Sequence, residues 1–123
     1  PTLPSEVKSS LSHFLQIFGD APEVDEEKLE GYAIITAMGP TYFWPQLHAL
    51  VELGRDFGWE IDEINAALES MMQDASEMFF HSGLDYSALT DLIPVKPLAD
   101  HEHAMCEPYK TTLSGFYKKL TGN

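Results

Sequence analysis

The sequence predicts an all-α fold of five to six helices. Apolar residues recur at helical spacing through most of the 123 residues, and no segment alternates apolar and polar residues over a useful strand length. Glycine and proline stand between the periodic segments, where they end or begin helices. The composition, 44% hydrophobic and 22% charged, is ordinary for a globular protein and indicates one domain with one core.

The first two helices are predicted from their caps. The first begins at Ser5, whose hydroxyl is expected to cap it, and ends at Gly19. The second follows Asp25, which is expected to cap it in turn, and runs to about Ala37. Acidic residues after Asp25 complement the positive end of the helix dipole.

The stretch TAMGPTYFWPQLHALVELG contains two prolines within a helical pattern. Pro40 is expected to push Gly39 out of helical geometry, so that the chain turns a corner there. Pro45 falls near the first turn of the next helix, where a missing N–H costs little. We therefore expect one helix with a distorted start, closed by Gly58.

The remaining chain gives the clearest helix and an irregular stretch. DEINAALESMMQDASEMFFHSG carries an apolar face at helical spacing and stops at Gly83. DYSALTDLI predicts a short helix, and PVKPLADHEH predicts a loop because Pro94 and Pro97 oppose regular structure. A final amphipathic helix is predicted from its apolar stripe of Tyr109, Leu113, Phe116 and Leu120.

Charge excludes several classes of partner. The formal net charge is -13, with 7 Lys and Arg against 20 Asp and Glu, so nucleic acid and anionic membranes are not expected partners.

The single cysteine, Cys106, cannot form an internal disulfide and fits a reducing, cytoplasmic location. The start PTLPSEV, without an initiator methionine, predicts a mature, trimmed or truncated piece of a longer protein.

Two of the predicted helices are apolar around more than one face. A small monomer has too little interior to cover such helices, so the pattern predicts a homodimer in which a second copy covers the excess. The residues outside the main stripes are Tyr42, Trp44, Ala49, Val51 and Leu53 in the third helix, and Ala66, Ala67, Met72 and Phe80 in the fourth.

DHEHAMCEPY gathers several possible metal ligands within a few residues. Their spacing fits no known zinc pattern, and we interpret the stretch as a capped, charged helix start without a metal. Cys106 has His101 and His103 nearby, but no oxyanion-hole motif accompanies them. We interpret Cys106 as a buried or semi-buried small hydrophobe.

A family resemblance extends over roughly residues 10 to 93. TAMGPTYFWPQLHALVELGRDFG resembles the SGSGPAY…ALADAGVRMG segment of pyrroline-5-carboxylate reductases through Gly39, Pro40 and Tyr42 and through the later Gly54 and Gly58. ALESMMQDASEMFFHSG is similar to GAAKMVLESG, and ALTDLI is similar to LKDQV. It is the order of these features, rather than any one motif, that identifies the family.

The resemblance implies an architecture and partners. Residues 1–24 would end a nucleotide-binding domain, and residues 25–123 would form an interleaved helical dimerisation domain like the C-terminal domain of 6-phosphogluconate dehydrogenase. In the family a preceding Rossmann domain binds NAD(P)H, and a small-molecule substrate sits between that cofactor and the dimer interface. No GxGxxG motif occurs in this chain, so no cofactor-binding residue is predicted in it.

The resemblance also places the substrate residues, with departures. Thr36 and the Gly39-Pro40 corner are expected to line the substrate site, while Ala33 stands where the family has a threonine. VKPLAD replaces the family's SPGGTT loop and lacks its glycines; there Lys96 would offer a point charge to a substrate carboxylate, and Asp100 would oppose an acidic substrate. No catalytic residue is assigned.

Three functions therefore stay open. The first is the dimerisation and substrate-side domain of a reductase that passes hydride from NADH or NADPH to a small cyclic imine, as in proline biosynthesis. The second is a non-catalytic helical homodimer or interaction module derived from that family. The third is an oxidoreductase with a different substrate, selected by Lys96 and the acidic loop. In each case the isolated chain should be inactive.

Overall fold

In the computed structural model, residues 3–17 and 22–122 are described, and the regular secondary structure within them is helical. The predicted all-α class is confirmed. The predicted helix end at Gly19 lies outside the described residues. The α-helices are α1 (Ser5–Gln16), α2 (Leu29–Tyr32), α3 (Pro40–Asp56), α4 (Ile61–His81), α5 (Tyr86–Asp91), α6 (Glu102–Pro108) and α7 (Ser114–Thr121).

Three of these helices belong to two longer composite segments. Segment 26–37 joins a 3-10 turn (Glu26–Lys28), α2 and a π turn (Ala33–Ala37). Segment 99–121 joins a 3-10 turn (Ala99–His101), α6, a second π turn (Tyr109–Leu113) and α7. The second π turn directly follows Pro108, which cannot donate to the preceding turn and so breaks the regular ladder. The two segments pack against each other through α2 and α7.

The predicted caps of the first two helices are wrong. Pro4, not Ser5, is the N-cap of α1, and no side chain caps the helix there. Asp25 does occupy the N-cap position of segment 26–37, but its carboxylate makes no capping bond. Instead, an oxygen of Asp25 lies 2.9 Å from Lys28 Nζ, three residues along the chain. The acidic side chain therefore pairs with a lysine in preference to a backbone amide.

Helix α3 is continuous from Pro40 across Pro45, as predicted, although Pro45 is the sixth residue of the helix and lies in its second turn rather than its first. Its end is a Schellman motif. The Trp59 amide donates to the Gly54 carbonyl at 3.1 Å and the Gly58 amide donates to Arg55 at 2.9 Å. Gly58 has a φ of 82°, in the left-handed region that glycine tolerates best, so the predicted stop is confirmed.

Helices α3 and α4 contact each other tightly at Gly54, next to the turn that joins them. A Cβ atom at Gly54 would lie 2.8 Å from Cγ1 of Ile64, so only glycine lets the helices come this close. Ile64 is only 2% exposed, and it fills the space that the missing side chain leaves. The aliphatic contact at this point fixes the geometry of the pair.

The chain covers little of its own apolar surface. Among the described residues the buried hydrophobic side chains are Ile34, at 5% exposure, and Ile64. The accessible surface is 10495 Å², whereas a compact monomer of this mass is expected to expose about 6,600 Å². Most of the large apolar side chains are thus exposed and available for contact with another protein surface.

The connection after α5 is shorter than predicted. Residues 99–101 already form a 3-10 turn, so Asp100 and His101 lie in helical structure rather than in the predicted loop. The irregular part covers residues 92–98. Within the parts of the chain that the structure describes, no helix is both long and apolar enough to cross a membrane.

Candidate functional site

An apolar groove of about 850 Å³ lies between segments 26–37 and 99–121. Aromatic rings and aliphatic side chains make up most of its surface, and a few charged side chains also line it. We call it the interhelical groove. Its lining residues are Glu27, Lys28, Gly31, Tyr32, Ile34, Ile35, Thr36, Tyr109, Leu113, Ser114, Tyr117 and Lys118.

The Gly39-Pro40 corner lies at one end of segment 26–37. Gly39 is buried and Pro40 is exposed. The expectation that Pro40 pushes Gly39 out of helical geometry is wrong, since Gly39 has φ -48° and ψ -45°. Proline disfavours this conformation in the residue before it chiefly through that residue's Cβ, which glycine lacks. A Cβ here would also lie 2.6 Å from the Ile35 carbonyl oxygen.

The π turn before the Gly39-Pro40 corner explains why the Tyr42 hydroxyl bonds to the backbone of this segment. The Met38 amide bonds to the Ala33 carbonyl at 3.0 Å, and the Gly39 amide bonds to Thr36 at 3.2 Å. Neither amide therefore reaches the carbonyl of Ile34, which in a regular α-helix would accept from Met38. The Tyr42 hydroxyl donates to this carbonyl at 2.5 Å instead. Tyr42 thus satisfies a half-buried backbone acceptor that the π turn leaves free.

Replacing Tyr42 with phenylalanine should lower the free energy of unfolding by about 1–2 kcal/mol, because the Ile34 carbonyl loses its donor. The ring's edge-to-face contact with Tyr109, at 5.7 Å between centroids, would be kept. Tyr32→Phe is the matched control, because Tyr32 is exposed and its hydroxyl bonds no other described residue. Urea denaturation at one protein concentration measures both, and equal losses would contradict the role of Tyr42.

Thr36 is the predicted site residue that faces the interhelical groove. Its hydroxyl donates to the Tyr32 carbonyl at 2.7 Å within its own helix. The hydroxyl proton is therefore engaged, while the oxygen keeps lone pairs that can accept a hydrogen bond from a ligand. Thr36 is exposed, so a bound molecule can reach it.

Lys96 and Asp100 lie apart from the groove. Lys96 Nζ is 3.2 Å from Asp91 Oδ1, at the end of α5, and Asp100 is exposed in the 3-10 turn. Neither residue lines the interhelical groove. Within one chain the predicted substrate residues thus fall into two groups, the Thr36 corner and the Lys96 connection.

Tyr86, the first residue of α5, donates a hydrogen bond to the carboxylate of Glu102, the first residue of α6. That bond, together with the negative charge of Glu102, raises the pKa of Tyr86 above its usual value of 10.0. Cys106 adds a further, smaller upward effect on this pKa. The contact ties the two helices together across the intervening connection.

The polar stretch around His101 forms no compact cluster. Over residues 3–17 and 22–122, no group of three or more His, Cys, Asp and Glu side chains is placed to hold one metal ion. His103 lies 3.9 Å from Glu107, one turn along the helix. Cys106 is exposed, so its interpretation as a buried or semi-buried hydrophobe is wrong.

The sequence reasoning missed most of the groove lining. Tyr32, Ile35 and Thr36 follow the i, i+3, i+4 pattern of one helix face, and this signal was available. Tyr109, Leu113 and Tyr117 follow the corresponding i, i+4, i+8 pattern in segment 99–121. What the pattern alone does not reveal is that the two faces border one groove.

Comparison with known proteins finds curated relatives that share one name. No protein-family model matches the chain, and no solved structure matches it. The chain is 28% identical over 89 residues to a pyrroline-5-carboxylate reductase of Staphylococcus haemolyticus, and 27% identical over 89 residues to pyrroline-5-carboxylate reductases of two Staphylococcus epidermidis strains. Each match covers 72% of this chain, which spans about a third (33%) of the length of these curated relatives.

The matched residues make up most of this chain. The resemblance found in the sequence is thereby confirmed: the chain is similar to the pyrroline-5-carboxylate reductases and fits a C-terminal portion of that family.

Proposed function

We propose that this chain is the dimerisation and substrate-side domain of a pyrroline-5-carboxylate reductase-like, NAD(P)-dependent oxidoreductase. The full-length protein would reduce the C=N bond of a small cyclic imine. The observation that carries this proposal is the similarity over 89 residues to proteins of that name. The isolated chain would be inactive, because it lacks the glycine-rich motif of a dinucleotide site.

Dimerisation is supported by the uncovered apolar surface. The chain exposes about 3,900 Å² more than a compact monomer of its mass. Obligate homodimers bury roughly 2,000–5,000 Å² in total, or about 1,000–2,500 Å² per subunit, so a second copy can cover a large part of this excess. The exposed large side chains include Ile35, Phe43, Trp44, Phe57, Phe79 and Phe80.

The substrate-side role rests on the two groups of polar residues. Thr36 offers an accepting oxygen on the interhelical groove, next to the Gly39-Pro40 corner. Lys96 offers a cation on the connection after α5. The two groups are separate within one chain. In a dimer, the Gly39-Pro40 corner of one subunit would therefore face the connection after α5 of the other subunit. Bound NAD(P)H would supply the hydride, and these residues would bind and orient the substrate.

The test uses the full-length protein with NADPH and pyrroline-5-carboxylate, followed by absorbance. We expect turnover, and we expect Lys96→Ala to raise KM roughly tenfold with little change in kcat, because a charged hydrogen bond to a carboxylate is lost. Lys119→Ala, in α7, is the control and should leave KM unchanged. An unchanged KM in Lys96→Ala would dismiss substrate recognition by this lysine.

The second candidate is a non-catalytic helical homodimer. The observation that favours it is the Asp91–Lys96 ion pair, which already neutralises the one basic residue of the connection in the absence of ligand. If the full-length protein forms a dimer but does not oxidise NADPH with any small cyclic imine tested, this candidate replaces the first.

A further inference from the structure

We propose that α5 holds the 92–101 connection in a single conformation through two side-chain bridges, with Tyr86 and Asp91 as positioning residues. This inference rests on the proposed function only for its consequence, which is the placement of Lys96 and Asp100. The bridges themselves are features of the described side chains.

The first bridge joins the end of α5 to the middle of the connection. Asp91 is the last residue of α5, and its Oδ1 atom lies 3.2 Å from Lys96 Nζ. The contact spans five residues, so it closes a small loop whose closure entropy is modest. It fixes which way the Lys96 ammonium points.

The second bridge joins the start of α5 to the start of α6. The Tyr86 hydroxyl donates to the Glu102 carboxylate across 16 residues of chain. Since the acceptor is ionised, this bond is stronger than one between neutral groups. Together the two bridges fix the connection at its middle and at its far end.

The backbone between the bridges is already restricted. The Ala99 amide donates to the Lys96 carbonyl at 3.1 Å, and Leu98 has φ -104° and ψ 12°. With Pro97 at the second position, residues 96–99 form a type I turn. The turn is locally rigid, so the freedom that remains is the movement of the whole turn relative to α5.

No buried side chain limits that movement. Every residue from 91 to 103 is exposed, so apolar packing within the chain does not anchor the connection. A single exposed ion pair contributes little to stability. The ion pair and the Tyr86–Glu102 bond act on the same few degrees of freedom of one short connection, and together they therefore control its conformation.

The experiment is hydrogen–deuterium exchange of the whole chain, comparing Tyr86→Phe and Asp91→Asn with the wild type. We expect the amides of residues 92–101, above all Ala99 and His101, to exchange about 3–10 times faster in each variant. Thr90→Val is the matched control on α5, because the Thr90 hydroxyl bonds only its own helix, at Ser87 O. It should leave exchange in this connection unchanged.

A second readout tests the identity of the acceptor. In the folded chain the pKa of Tyr86 is raised, so the bridge is intact below pH 10 and is lost as the pH rises through that pKa. Glu102→Gln keeps an acceptor but removes the charge. In that variant the tyrosinate absorbance at 295 nm should begin to rise at lower pH than in the wild type.

Equal exchange of residues 92–101 in Tyr86→Phe, Asp91→Asn and Thr90→Val would overturn the proposal. Exchange is measured without substrate, so this result is independent of the KM of Lys96→Ala. Faster exchange with an unchanged KM in Lys96→Ala would support the role of α5 while dismissing substrate recognition by Lys96.

Discussion

Replacing Gly39 with alanine is expected to lower the free energy of unfolding by about 2–3 kcal/mol. The new Cβ would lie 2.6 Å from the Ile35 carbonyl oxygen and 3.1 Å from that of Thr36. Both atoms belong to the backbone of the π turn and cannot rotate away. Any residue with a Cβ also resists helical torsion angles immediately before a proline. The measurement is urea denaturation at one fixed protein concentration, since an associating chain has concentration-dependent stability.

Gly115→Ala is the matched control for this change. Gly115 lies within α7, and a Cβ there would meet nothing within 4 Å. Alanine is the better helix former, so this variant should be stabilised by up to about 1 kcal/mol. If Gly39→Ala were as stable as Gly115→Ala, that result would contradict the close approach of Gly39 to the carbonyl oxygens of Ile35 and Thr36.

Replacing Ile35 with aspartate is expected to weaken self-association at least roughly 100-fold, a loss of about 2.7 kcal/mol. Ile35 is 75% exposed and lines the interhelical groove, so its own chain gains little from it. If a second copy covers the groove, the aspartate would place an unpaired charge in that interface. Light scattering over a dilution series measures the shift towards the 13.8 kDa single chain.

Val7→Asp controls for added charge on an exposed apolar side chain. Val7 is 50% exposed but lies in α1, outside the groove. It should associate as the wild type does. A wild-type chain that stays at 13.8 kDa at every concentration would contradict dimerisation altogether, and equal weakening by both variants would contradict the groove as the covered surface.

The fold was largely predictable because its determinants are local. The periodicity of α4 and the stop at Gly58 are both contained within a few residues. The π turns were not predicted. A π turn depends on which of several nearby amides each carbonyl accepts from, and the apolar pattern does not encode that choice. The Gly39 conformation was missed for the same reason.

The candidate site was less predictable because its contacts are remote in sequence. Thr36 was found from the resemblance, and the structure places it on the groove. The Tyr86–Glu102 bond spans 16 residues, and nothing in either residue type marks the other as its partner. Lys96 was expected to present a free charge, but Asp91 pairs with it. Such pairings follow from how the connection folds rather than from composition.

The π turn at Ala33–Ala37 holds one residue more than a regular helical turn would. In a chain one residue shorter at this point, the usual i to i−4 ladder could close and a backbone amide would reach the carbonyl of Ile34. That carbonyl would then no longer be free to accept from the Tyr42 hydroxyl. Loss of this one residue would therefore remove the need for a tyrosine hydroxyl at position 42.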